Sequence, residues 1–164
     1  IEERPDLKDL WIETGLGLGD DEAREAMRLI DPSLQSGQDP EDLVRRTDAL
    51  LRIAERTGRT EDLEAADRAI ELWESGARDP DAVDLRKARL LTIRGEDQAA
   101  GTILSSVLER IRATPAGSST PEQLRAFLTA SNELAFTYAE GLAGERAMAL
   151  EIIEEALELS LIHI

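Results

Sequence analysis

Residues 120–157 open with Thr120-Pro121-Glu122-Gln123, run through Asn132-Glu133-Leu134-Ala135-Phe136-Thr137-Tyr138-Ala139, and close on Ala149-Leu150 and Glu154-Glu155-Ala156-Leu157. The opening is a helix start. A threonine hydroxyl can accept from a free N–H of a first helical turn, and proline fits the first helical position, where no hydrogen bond is lost. The early acid of Glu122 suits the positive end of the helix. Gln123 stands three residues after Thr120, the spacing of a capping box.

The same punctuation recurs upstream as Asp39-Pro40-Glu41 and Asp79-Pro80-Asp81. Its near-equal spacing, about 40 residues, is in the range of helical repeats. Between these starts lies a second signal, a glycine turn followed by acids and small apolar residues: Gly19-Asp20-Asp21-Glu22-Ala23, Gly58-Arg59-Thr60-Glu61-Asp62, Gly95-Glu96-Asp97-Gln98-Ala99 and Gly144-Glu145-Arg146-Ala147. Glycine can end one helix in the left-handed conformation, and the acids start the next. Together the signals predict helix pairs at 5–14 with 20–30, 41–57 with 60–75, 82–94 with 96–113, and 122–140 with 144–158. Within 41–57, Leu43, Val44, Leu50, Leu51 and Ala54 share a broad face at the helical period, while Arg45, Arg52 and Arg56 line the other. Ala66, Ile70 and Trp73 form a stripe in the following helix, as Ala100, Leu104, Val107 and Ile111 do in the next pair. No stretch alternates like a strand. Asp31–Gln38, Gly76–Asp79 and Thr114–Thr120 read as connections within one helical-repeat domain spanning 1–158. The fold class predicted is all-α, with antiparallel helix pairs stacked as an α-solenoid.

The last pair resembles a tetratricopeptide repeat, through Asn132–Ala139, Ala149-Leu150 and Glu154–Leu157. The resemblance implies that Ala135, Ala149 and Ala156 are the small positions where two antiparallel helices approach, with Leu134, Tyr138 and Ile153 the large ones around them. It also implies that the first helices of successive pairs line an inner, concave surface. The chain departs from the family by an apparent insertion between Tyr138 and Ala149, which lengthens the turn at Gly141–Gly144. The pair at 82–113 is similar in its second half, through Gly95, Ala100, Leu104 and Val107; the pair at 41–75 matches in pattern only. The cap spacing exceeds the roughly 34-residue period of tetratricopeptide repeats and falls near that of HEAT-type repeats, which stand as the alternative. Of the family's clamp for chaperone C-terminal carboxylates, only Asn132 has a counterpart here.

Acids outnumber bases, 35 Asp and Glu against 19 Lys and Arg, for a formal charge of −16. Such a charge repels a phosphate backbone and points away from nucleic acid. Cysteine is absent, which excludes disulfides, thiolate metal sites and cysteine nucleophiles and leaves the compartment open. No apolar run approaches the roughly 20 residues of a membrane span, so no membrane insertion is expected. A search for a nucleophile, base, phosphate loop or metal cluster yields no usable spacing, and the sequence predicts a protein that is not an enzyme and holds no cofactor or metal. Gly15-Leu16-Gly17-Leu18-Gly19 lacks the following lysine and preceding strand of a phosphate loop. Neighbouring acids such as Glu154 and Glu155, or Asp20, Asp21 and Glu22, point about 100° apart on a helix and do not converge on one atom. Trp11 beside Leu10, Trp73 beside Ile70, and Tyr138 at a family packing position read as core.

Basic charge in so acidic a chain singles out Arg45, Arg46, Arg52 and Arg56 on one first helix and Arg86, Lys87, Arg89 and Arg94 on the next. Candidate partner-binding residues are Arg45, Arg52, Arg56, Arg86, Arg89 and Asn132, bordering the inner surface. The competing reading is a solvated surface paired locally with Asp48, Glu55 and Asp84. The expected function is a protein-interaction scaffold that binds a peptide or helix, an acidic one included, on its inner surface. The alternative is a regulatory or sensory arm of a larger enzyme or transcription regulator. The chain begins at Ile1 rather than Met and is expected to be a piece of a longer protein, able to self-associate through its cut ends. Leu159–Ile164, which contains the only histidine, His163, resembles a translated sequencing adapter and is expected to be non-native.

Overall fold

The computed structural model describes residues 40–114, 120–140 and 146–162. All regular structure among them is helical: α1 (Pro40–Thr57), α2 (Thr60–Glu74), α3 (Pro80–Ile93), α4 (Asp97–Arg112), α5 (Pro121–Glu140) and α6 (Arg146–Ile162). The pairs expected from 41 onward are present with ends shifted by a residue or two. The exception is α6, which continues to Ile162 because no Gly or Pro interrupts the run after Leu157. The expected pair at 5–30, the Asp31–Gln38 connection, Trp11, Gly15–Gly19, Asp39, the Gly141–Gly144 turn and His163 lie outside the described residues. The chain divides into two compact units, Ile1–Arg78 and Asp79–Ile164.

In the first unit α1 packs on α2. Gly58 closes α1 at φ +62°, donating its N–H to the Ala54 carbonyl at 2.8 Å, the left-handed cap that glycine adopts without a Cβ penalty. Arg59 is extended and no side chain caps α2; instead the Leu63 N–H reaches the Arg59 carbonyl at 3.0 Å. Asp62, in that first turn, accepts from the Thr57 hydroxyl at 2.7 Å and ties the two helix ends together. Leu43, Ala49, Leu50, Leu51, Ile53 and Ala54 of α1 are buried, as are Ala66, Ala69, Ile70 and Trp73 of α2. Thr47 sits fully inside this face. It tolerates burial because its hydroxyl donates back to the Leu43 carbonyl at 2.8 Å.

In the second unit both expected caps form. The Asp79 carboxylate accepts from the Asp81 and Ala82 N–H groups at 3.1 and 3.2 Å, with Pro80 first in the helix. Thr120 and Gln123 exchange side-chain bonds with each other's backbone N–H at 3.2 and 2.9 Å, a complete capping box. Gly95, at φ +76°, ends α3: its N–H reaches the Thr92 carbonyl and the Glu96 N–H reaches Leu91, the paired bonds of a Schellman motif. The core is one cluster of Ala88, Ala100, Leu104, Val107, Leu108, Ile111, Ala126, Phe127, Ala130, Leu134 and Ala156. Small residues bring the helices close. A Cβ built on Gly101 of α4 would lie 3.6 Å from the Leu134 Cδ1 of α5. Packing joins α3 to α4, α4 to α5 and α5 to α6, and it also joins α3 directly to α5. Ala135, Ala149 and Ala156 are buried as expected, Leu134 is buried, and Tyr138 and Ile153 are half-buried.

Two arginines in the last turn of α4 lock neighbouring elements. Arg110 bonds Asp81 at 2.8 Å and Asp84 at 2.6 Å, in the first turns of α3, so α3 and α4 run antiparallel. Arg112 donates its Nε to Glu155 of α6 at 2.8 Å, closes a second bond from the same guanidinium to that carboxylate, and stacks over the Phe127 ring of α5 at 5.9 Å.

Candidate functional site

The residues singled out by the sequence fall in both units, and each set is described within its own. Arg45, Arg52 and Arg56 are exposed on α1. Steps of seven and four residues keep them on one side, opposite the buried face. Arg86 and Arg89, one turn apart on α3, are half-buried. The Arg86 guanidinium donates to the Ala82 carbonyl at 3.0 Å, which lays its stem along its own helix. Asn132 is exposed on α5, the helix against which α3 packs. Asp84, expected among the local partners of the bases around it, accepts instead from Arg110 of the next helix.

The pairs around Arg110 and Arg112 show what the basic residues outside the stripe do. Burial acts to lower the Arg110 pKa, but hydrogen bonds to Asp81 and Asp84 outweigh it and leave the value raised. For Arg112 the bond to Glu155 is the largest influence and raises it against partial burial. Both guanidinium groups remain charged at any working pH and serve to join helices.

One functional candidate was passed over in the sequence. Phe136 is 58% exposed, four residues beyond Asn132 and therefore on its side of α5. Arg125 and Thr129 are exposed on the same side, giving α5 a continuous outward stripe of Arg125, Thr129, Asn132 and Phe136. The step of four from Asn132 was the available signal. An aromatic inside a family-like motif reads first as core, and Phe127, fully buried one face away, takes that role instead. The stripe offers a cation, two hydrogen-bonding side chains and a ring, which is chemistry for recognition rather than for bond making.

Elsewhere, a shallow hollow at the start of α4 is lined by Gly95, Glu96, Asp97, Gln98, Ala99 and Thr102; Glu96 is exposed and Asp97 half-buried. Among the described residues no group of three His, Cys, Asp or Glu is placed to hold a metal ion, and no helix is long and apolar enough to cross a membrane. No protein-family model matches the chain, and no curated protein or solved structure matches it significantly.

Proposed function

We propose that this chain is a helical-repeat scaffold of tetratricopeptide type, which holds a peptide or helix of another protein on the outward side of its first helices. The observation that carries the reading is the direct packing of α3 on α5, the first helices of consecutive pairs, with α4 packed against both. In a stack of helix pairs, first helices set side by side line one continuous surface, and second helices line the other. Arg125, Thr129, Asn132 and Phe136 then lie on the partner-binding side, near a helix that carries Arg86 and Arg89. The burial of Ala135, Ala149 and Ala156, the small positions of the family pattern, supports the tetratricopeptide reading over the HEAT alternative, whose support is the cap spacing alone.

The partner fits best as a short acidic segment with an apolar side chain. A guanidinium can hold a carboxylate with two hydrogen bonds, the Phe136 ring supplies an apolar seat, and the surrounding acids repel a polyanion at large. The test is a titration of acidic, neutral and basic peptide pools against the wild type and against Arg89→Glu, Asn132→Ala and Phe136→Ala. Arg68→Glu serves as the control, since Arg68 is exposed on α2 and pairs only within that helix with Glu64 at 3.6 Å. Retention of acidic peptides, weakened by salt and by Arg89→Glu and Phe136→Ala but not by the control, supports the scaffold. Equal binding by every variant, or no peptide retained, removes it.

A further inference from the structure

The stripe on α5 is a line with two unlike ends. Steps of four, three and four residues from Arg125 place Thr129, Asn132 and Phe136 within about 60° of one another around the helix, and all four side chains are exposed. Arg125 marks one end and Phe136 the other. Their separation of eleven residues is about 16.5 Å at the helical rise.

The middle of the line is polar and open. Elsewhere Thr47, Thr92 and Thr102 turn their hydroxyls back to the carbonyl four residues earlier, as Thr137 does later on α5. Thr129 does not. Neither its hydroxyl nor the Asn132 amide has a hydrogen-bond partner among the described residues, and Arg125 has no ion-pair partner among them. Both polar side chains can donate and accept. A partner helix has little to offer them, since its own N–H and C=O groups are bonded within it and it gains chiefly from apolar packing. Between Arg125 and Phe136 the stripe presents such a helix with no apolar side chain. An extended chain is the opposite case, because its backbone groups are unpaired along its whole length and an amide and a hydroxyl can reach them.

Fixed charge sets where an acid of that chain can lie. Glu122, exposed one turn before Arg125, and Glu133, half-buried next to Asn132, bracket the Arg125 end. A carboxylate is attracted at Arg125 and repelled on either side of it.

We propose that the stripe receives an extended segment of a partner protein rather than a helix, which rests on the peptide-binding reading and narrows it. The segment sets an apolar side chain on the Phe136 ring, backbone groups on Asn132 and Thr129, and a carboxylate at Arg125. An extended chain rises about 3.3 Å per residue, so the acid stands about five residues from the apolar side chain. In a helix the same separation takes about eleven residues, or three turns.

The probes are three labelled peptides with a central Leu, titrated by anisotropy against the full chain. The first contains proline, which keeps it from forming a helix, and carries Glu about five residues from the Leu on both sides, so that either chain direction presents an acid. The second has the same composition with Glu about two residues from the Leu. The third is an Ala-rich helix with Glu about eleven residues away on both sides. The first is expected to bind at least about threefold more tightly than either of the others, in the range of a solvent-exposed charge pair. Arg125→Glu should abolish the preference for the first over the second and transfer it to a version with Lys in place of Glu. Phe136→Ala should weaken both extended peptides alike, and the Arg68→Glu control should change nothing; all variants are at exposed positions and are checked for unchanged helix content by circular dichroism. Tightest binding of the helical peptide, equal binding of the two extended ones, or no charge swap in Arg125→Glu overturns the extended register while leaving a peptide-binding scaffold in place. Retention of none of the three peptides removes both.

Discussion

Gly101→Ala should stabilise the second unit. Gly101 lies in the interior of α4, where glycine costs about 1 kcal/mol relative to alanine because its backbone has more freedom to lose on folding. A buried glycine can be required by a close approach, so the sign depends on the space above it. A Cβ there would meet Leu134 Cδ1 at 3.6 Å, ordinary van der Waals contact with a side-chain tip, and the backbone is not in the left-handed region. The methyl group therefore fits and adds a little apolar burial. The expected gain is about 1 kcal/mol. In a unit the size of Asp79–Ile164, that amount raises Tm by about 4–8 °C. Gly101→Leu should do the opposite, since three further carbons must enter the space held by Leu134, at a cost of about 1–3 kcal/mol. The assay is urea unfolding followed by circular dichroism, with the slope m compared across the three proteins so that a change in midpoint can be read as stability. A Gly101→Ala protein that unfolds at lower urea with unchanged m would mean that α4 and α5 lie closer than described, and the reasoning would fail.

Two further outcomes concern the last pair. Ala149→Glu and Ala156→Glu should each destabilise it by about 2–4 kcal/mol, because each puts a charge and extra volume against α5, whereas exposed Glu154→Ala should change little; three equal melting curves would contradict the packing of α6. The Arg112–Glu155 pair, more than a third exposed on both sides, should contribute only a few tenths to about 1 kcal/mol after solvent screening. Its pH dependence follows from the raised Arg112 pKa: the contribution is complete below the ordinary arginine range and is lost only as pH rises through the higher folded value. The difference in Tm between wild type and Glu155→Gln should therefore stay constant from neutral pH to pH ~10, and a difference that shrinks over that interval would mean that another group controls the pair.

What the sequence made legible was local. Asp79, Thr120 with Gln123, Gly58 and Gly95 each act on backbone groups within a few residues, so their spacing alone places the helix ends. The inward faces followed for the same reason, since Leu51, Ala66, Ile70, Leu104 and Val107 recur at the helical period. The unread part was non-local. Asp84 has bases on its own helix at close range, and nothing in its neighbourhood indicates that Arg110, across the next helix, is its partner. Phe136 and Phe127 are both aromatic and both helical, and only the placement of α4 and α6 around α5 decides which one is buried. The candidate binding residues are a mixed case: the exposure of Arg45, Arg52 and Arg56 follows from amphipathicity, whereas the partial burial of Arg86 and Arg89 depends on how α3 sits among its neighbours.

The distribution of small residues sets how each helix of the second unit is held. Helices α4 and α5 meet through Ala100, Gly101, Ala126 and Ala130, with Leu104, Leu108, Phe127 and Leu134 filling the surrounding space. Their contact combines close approach with large buried side chains. Helix α6 has only the first of these: among its described side chains the buried ones are Ala149 and Ala156, and its large residues are half-buried or exposed. An alanine has little apolar surface to remove from water, so α6 gains less from α5 than α4 does. The Arg112–Glu155 pair and the reach of Arg112 over Phe127 fasten α6 to α4 and α5 without adding much to that gain. The Ala149→Glu and Ala156→Glu variants therefore probe a contact that rests on small buried side chains rather than on large ones.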